Sequence, residues 1–166
     1  MELQGLGQLL TPAFKAHIQM TRLFFRDFSE LNLLIRGEES SDRMIAWATL
    51  DFVSDFNGTP HFTNYDIEGL YGRNLQSFCT RGTAVSLIQS LMMIYARNHL
   101  PFSDGGLSVS INDKAPLYQS ILALLQSAYE QQKRQIKIAM NVEALLDVYP
   151  SGVHSDYAVL TGLGYF

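Results

Sequence analysis

The chain has 166 residues, of which 47% are hydrophobic and 17% charged, with a net charge of −4 and a single cysteine. That length suits one domain, and a charged fraction below the roughly 25% of an ordinary soluble domain predicts extra buried surface, in the core or between subunits. Cys79 alone excludes an internal disulfide framework. No basic and apolar leader is evident, and the longest uncharged run falls short of the ~20 residues a bilayer requires, so a soluble, unexported protein is expected.

Thr11 followed by Pro12 reads as an N-cap with proline at the first helical position, and Phe14, Ile18, Leu23 and Phe25 supply the apolar side of a first helix running to about Asp27. The segment ELNLLIRGEESSD is a connector, with Gly37 as a stop and Ser40 or Ser41 as the next cap. A second helix is predicted from about Asp42 to Phe56, with Ile45, Ala48, Phe52 and Phe56 at helical spacing, Trp47 close by and Asn57-Gly58 ending it. TPHFTNYDIEGLYG reads as turn-rich and partly extended. From Leu75 or Thr83 to Asn98 or His99 runs a helix whose stretch GTAVSLIQSLMMIYA, Gly82 to Ala96, is uncharged and apolar almost all round; such a helix must be enclosed by protein.

Ser103-Asp104-Gly105-Gly106 is a turn, and the alternation of Leu107, Val109 and Ile111 with Ser108 and Ser110 predicts a short strand. Asp113 caps the longest helix, from about Lys114 to Ala139, with Leu117, Ile121, Leu124, Leu125, Ala128, Tyr129 and Gln132 in one series and Lys133, Arg134 and Lys137 near its C-terminal end. The tail DVYPSGVHSDYAVLTGLGYF has three glycines, one proline and no helical period, and reads as an extended arm. Its large apolar side chains, Val153, Tyr157, Val159, Leu160, Leu163, Tyr165 and Phe166, require a host surface, expected on another chain, with a tail folded back onto its own domain as the alternative. The expected fold is mainly α: a small bundle of about four helices with a short β element, residues 1–146 forming the helical domain and 147–166 the docking arm.

Charge is divided along the chain. Residues 27 to 72 hold nine acids against two bases, whereas residues 73 to 137 hold seven bases against three acids. If the blocks lie on opposite flanks, the acidic side of one copy meets the basic side of the next, the head-to-tail contact that closes rings.

The residues that invite a chemical reading mostly fail it. His17, His61, His99 and His154 fall in four different elements without ligand spacing, so helix ends or surface are the default for them. The S-D-G-G turn leads into a strand and lacks the Lys-Ser/Thr of a nucleotide loop. Asp51 and Asp55 stand one turn apart at the C-terminal end of the second helix, where mutual repulsion and the macrodipole disfavour carboxylates. Pairing with arginine, with Arg73, Arg81 and Arg97 the first candidates, would offset that within or between subunits; an acid/base or metal-binding pair is the competing reading.

The order ELNLLIRGEESSDRMIAWATLDFVSDFNGTP, then an apolar helix ending in ARNHLPFSDGGLSVSINDKAPLY, then a long helix and a tail resembles the virion neck proteins of tailed bacteriophages, the head-to-tail connector or adaptor proteins, over roughly residues 12 to 166. The resembling motifs, ELN, GEE, DFNGTP, RN and SDGG, are structural punctuation. The resemblance implies a non-enzymatic ring subunit without cofactor or metal, made in the host cytoplasm and placed at the virion neck. About twelve copies would form a ring beneath the portal protein, dock on it by the C-terminal arm, contact the next neck or tail protein and let DNA pass without sequence recognition, away from any membrane. Acidic channel walls would suit that passage, since a basic channel would hold phosphates. Another virion ring protein (tail completion or terminator), a small metal-dependent enzyme using Asp51 and Asp55, and a helical regulator of one partner helix are the alternatives.

Overall fold

The computed structural model describes residues 11–32, 36–97, 100–104, 107–111 and 115–147, and it is mainly helical. The elements are α1 (Pro12–Phe25), α2 (Asp42–Gly58), α3 (Ile67–Gly72), α4 (Gln76–Arg97), β1 (Leu100–Asp104), β2 (Leu107–Ile111) and α5 (Ala115–Asp147). The two strands pair antiparallel, Leu100 opposite Ile111 through Asp104 opposite Leu107. The Asp113 cap, Gly105 and Gly106 of the turn, and the arm residues Val153 to Phe166 lie outside the described residues.

Helix starts follow the sequence signals. Thr11 Oγ1 accepts from Phe14 N at 3.3 Å with Pro12 at the first position, Ser41 Oγ does the same for Met44 N, and Asp66 caps α3 by accepting from Gly69 N at 2.7 Å. Left-handed residues close α1 and α3, while α2 ends at Thr59 in extended conformation. Arg26 (φ 56°) closes α1 through its own bond to Leu23 O and that of Asp27 N to Arg22 O, and Asn74 (φ 59°) closes α3 the same way through Tyr71 O and Leu70 O. The stretch that reads as turn-rich and partly extended thus contains a helix, because Ile67 and Leu70 both reach the core and Asp66 satisfies its first turn.

α4 is the central element and packs on α1, α2, α3 and α5. Its enclosure covers Phe78 to Ile88 apart from the half-buried Arg81, and Leu91, as the uncharged run predicts, but not the last turns, where Met93 is 68% exposed. One core cluster joins Phe52 and Phe56 of α2, Phe78, Cys79 and Val85 of α4, Ile67 and Leu70 of α3, and Tyr129 and Met140 of α5. A second joins Ile18, Ile45, Ala46, Ala48, Leu87 and Leu91 at the other end. Within the first, the Phe78 and Tyr129 rings stack at 5.3 Å, and Phe52 meets both edge-on at 5.5 and 6.0 Å, contacts worth about 0.5–1.5 kcal/mol each beyond burial.

α5 extends to Asp147, well past the predicted end at Ala139. Its inward positions continue through Ile136 and Met140, and after Pro116 in its first turn no glycine or proline follows before Pro150. Lys133, Arg134 and Lys137 therefore sit in mid-helix and not at a favourable C-terminal dipole, and Lys133 and Lys137 are buried.

Gly82 leaves room for two neighbouring rings. A Cβ there would overlap the Phe52 ring and lie 2.9 Å from Tyr129 Cε2, so α2 and α5 close on α4 only because the residue has no side chain. Gly82→Ala should destabilise the fold by about 3 kcal/mol or more in urea unfolding, against a small effect for Gly58→Ala, where a Cβ meets nothing within 4 Å.

Candidate functional site

Asp55 leaves the C-terminal half of α2 toward α5, and the same oxygen, Oδ2, accepts from Tyr129 Oη at 2.5 Å and from Lys133 Nζ at 3.0 Å. The offset expected from arginine is supplied by lysine, inside one subunit. Lys133 also donates to Glu130 at 2.9 Å. Arg73 instead pairs with Glu143 at 2.7 Å and lies over the Tyr65 ring, Arg81 donates to Gln132 Oε1 at 2.9 Å, and Arg97 is exposed. The five interface candidates therefore do not converge: Asp51 is exposed and makes no ion pair among the described residues.

One turn beyond Lys133, Lys137 points its ammonium into neutral oxygens. Nζ donates to His61 O and Thr63 Oγ1 at 2.9 Å each and sits 4.0 Å from the Phe56 ring centre, with only 4% of the residue exposed. Asn57 makes this reachable. Its side-chain amide donates to Tyr65 O and accepts from Tyr65 N and Thr63 Oγ1, folding the chain after α2 into a loop that α5 can touch. A cleft of about 460 Å³ opens beside this loop, lined by His61, Lys133, Arg134, Lys137, Ile138 and Asn141 among others.

Burial lowers the Lys137 ammonium, helped by the neighbouring charge of Lys133. Burial acts on Lys133 in the same sense, but the Glu130 and Asp55 carboxylates outweigh it and raise that ammonium. The Tyr129 hydroxyl is pushed far up by burial and by the hydrogen bond it gives Asp55, so it remains a donor and not a base. Lys133 and Tyr129 are thus each pushed further towards the protonated form, Lys133 by its two carboxylate partners and Tyr129 by burial and its bond to Asp55.

A second polar constellation went unseen in the sequence. His17 of α1 is fully buried, with Nδ1 2.8 Å from Tyr71 Oη and Nε2 2.8 Å from Thr83 Oγ1, where a helix-end or surface position was the default. Its signal was its place one residue before Ile18 on the buried side of α1. Burial lowers its pKa to about 4 and raises the Tyr71 hydroxyl to about 12. Cys79 behaves as the small buried hydrophobe expected, its thiol pushed up to about 12 by burial.

A third constellation ties α1 to the connector before α2. Arg22, 3% exposed, meets Glu38 at 2.9 Å and Asp42 at 2.6 Å, while buried Asp27 accepts from Asn32 Nδ2, Glu39 N and Ser40 N at 2.6 to 2.8 Å. Among the described residues, no three His, Cys, Asp or Glu side chains gather where they could hold a metal ion, and no helix is long and apolar enough to cross a membrane.

What stands outside these internal networks is apolar surface. Met20, Leu23 and Phe24 lie at i, i+3 and i+4 on α1, Trp47 and Leu50 share a face of α2, and the outer side of α5 carries more of the same. No protein-family model matches the chain, and no curated protein or solved structure matches it significantly.

Asp55→Ala should cost about 1–2 kcal/mol in urea unfolding, the low end for charged hydrogen bonds because the carboxylate is half exposed, while Asp51→Ala stays within about 0.5 kcal/mol. For His17, the folded pKa of about 4 lies below the ordinary 6.5, so the unfolded chain binds the extra proton first. Its contribution is complete above pH 6.5 and is lost as pH falls toward 4, about 3 kcal/mol across that window. Unfolding measured over that range should flatten in His17→Gln.

Proposed function

We propose that this chain is a non-enzymatic structural subunit that works by assembling with other chains, and that the assembly is the head-to-tail connector of a tailed phage, as its sequence resemblance implies. The observation that carries the assembly reading is the apolar surface: large side chains such as Leu23, Trp47 and Leu50 are each more than half exposed and recur at helical spacing. A chain so sparing of charge leaves these groups in water only until a partner covers them. His17, Arg22, Asp27, Lys133 and Lys137, by contrast, are buried and engaged inside the chain, which supports a building role over a chemical one.

In this reading the helical domain is the body of the subunit, the short β element is a projection from it, and residues 147–166 dock on the portal or on a neighbouring copy through Val153, Tyr157, Val159, Leu160, Leu163, Tyr165 and Phe166. The ring of about twelve copies, placed at the virion neck, passes DNA through its centre and offers its other face to the next neck or tail protein. Asp55, Arg73 and Arg81 stabilise the subunit itself, leaving Asp51 and Arg97 as the charged candidates for contacts between copies.

Deleting residues 148–166 should change the unfolding free energy of the free subunit by no more than about 0.5 kcal/mol and abolish co-sedimentation with portal-bearing heads. Undiminished attachment, or a large loss of stability, would overturn the docking role. Trp47→Glu with Leu50→Glu should likewise leave the fold intact, since both side chains are exposed, and prevent stoichiometric assembly on the portal.

A further inference from the structure

α5 has two apolar faces. Leu122, Leu125, Tyr129, Ile136 and Met140 point into the core. On the outer side, Leu117, Ile121, Leu124, Ile138, Val142 and Leu145 are all exposed, between 39% and 75%. Their positions, with Ala128, Gln131 and Gln135 between them, alternate steps of four and three without interruption across residues 117–145, the spacing of a coiled-coil seam. None of the nine positions is charged.

From this we infer that the outer face of α5 pairs with the same face of a second copy of this chain, the two helices running antiparallel. The order along the seam argues for that occupant. Read from either end it runs apolar, then polar at Gln131 and Gln135, then apolar again. Antiparallel pairing sets Gln131 against Gln135 of the second copy, Ala128 against Ile138, Leu124 against Val142 and Ile121 against Leu145. Each amide then meets an amide, small meets large, and branched chains meet branched chains. A parallel pair would place no such demand on the order, and it would align the helix dipoles where the antiparallel pair opposes them. The paired amides penalise slipped registers that would set glutamine against leucine.

The magnitude sets the strength of the contact. In this register residues 121 to 145 overlap; twenty-four steps of ~1.5 Å give a strip about 36 Å long, and a helix contact roughly 10 Å wide makes its footprint about 360 Å² on each copy. Both copies together reach about 720 Å², short of the ~1,200 Å² of stable specific interfaces, so the pair is expected to be weak and concentration-dependent in solution. The contact is isologous and closes on two copies; it does not build a ring by itself. It rests on α5 alone, so failure of portal docking leaves it standing, and absence of pairing leaves portal docking standing.

Sedimentation velocity of the full chain over a roughly hundredfold concentration range should show a monomer–dimer equilibrium, and Leu124→Glu with Val142→Glu should weaken it at least about tenfold with unchanged thermal melting, because both side chains are exposed. For orientation, Ile121→Cys mixed with Leu145→Cys should oxidise to a crossed disulfide, while Ile121→Cys alone gives none; native Cys79 is buried and does not interfere. Monomer at every concentration, association indifferent to the two glutamates, or a disulfide formed by Ile121→Cys alone would each overturn the inference.

Discussion

The absence of a side chain at Gly82 is the constraint on which the fold depends. Because α4 carries no Cβ there, the Phe52 ring of α2 and the Tyr129 ring of α5 both reach its backbone, and Phe78 completes an aromatic junction among three helices. A chain of polar contacts follows from the closure. Tyr129 must put its hydroxyl somewhere, and Asp55 receives it; Asp55 attracts Lys133; the next turn brings Lys137 onto the face of Phe56 and the loop after α2. One helix–helix approach thus dictates a charged column along the α2–α5 boundary, whose members tie the two helices together.

The opposite end is organised by a different device. Asp27, buried and accepting from two backbone N–H groups and one amide, holds the connector that brings Ser41 to the start of α2, and Arg22 balances its charge while also reaching Glu38 and Asp42. Buried charge of this kind adds little net stability over apolar residues of the same shape, but its geometry admits few alternatives. The ELN and GEE motifs find their meaning here, since Asn32, Glu38 and Glu39 are the residues that close the clamp. DFNGTP finds its own in Asn57. These are local folding instructions, and by themselves they identify no partner.

Much of the helical plan was legible because it is written locally. Thr11-Pro12, Ser41 and the Gly82–Ala96 run mark starts and enclosure through short-range chemistry that any reader of periodicity can use. α3 was hidden because six residues carry too little periodicity to stand out from a turn-rich stretch, and it depends on the burial of Ile67 and Leu70 together with the Asp66 cap. Partner choice was hidden for a similar reason. Asp55 was recognised as needing a cation, but the identity of that cation depends on the angle at which α5 crosses α2, which Gly82 sets and no spacing records. His17 was misjudged because its satisfaction requires Tyr71 and Thr83, more than fifty residues away.

The same limit explains why α5 read as one amphipathic helix although it has two apolar faces. Leu117, Ile121 and Leu124 belonged by spacing to the same series as Leu125 and Tyr129, and a wheel drawn from sequence merges stripes that lie about a quarter-turn apart. Packing separates them: the stripe through Tyr129 is consumed by Phe52 and Phe78, and the other faces outward over the full length of the helix. A monomer evolved only for its own stability would carry polar residues there, because burial offers those side chains nothing and exposure favours aggregation. That the only polar interruptions fall together at the middle of the stripe, where two copies can set them against each other, ties the low charge of the chain to association with register and not to indiscriminate stickiness.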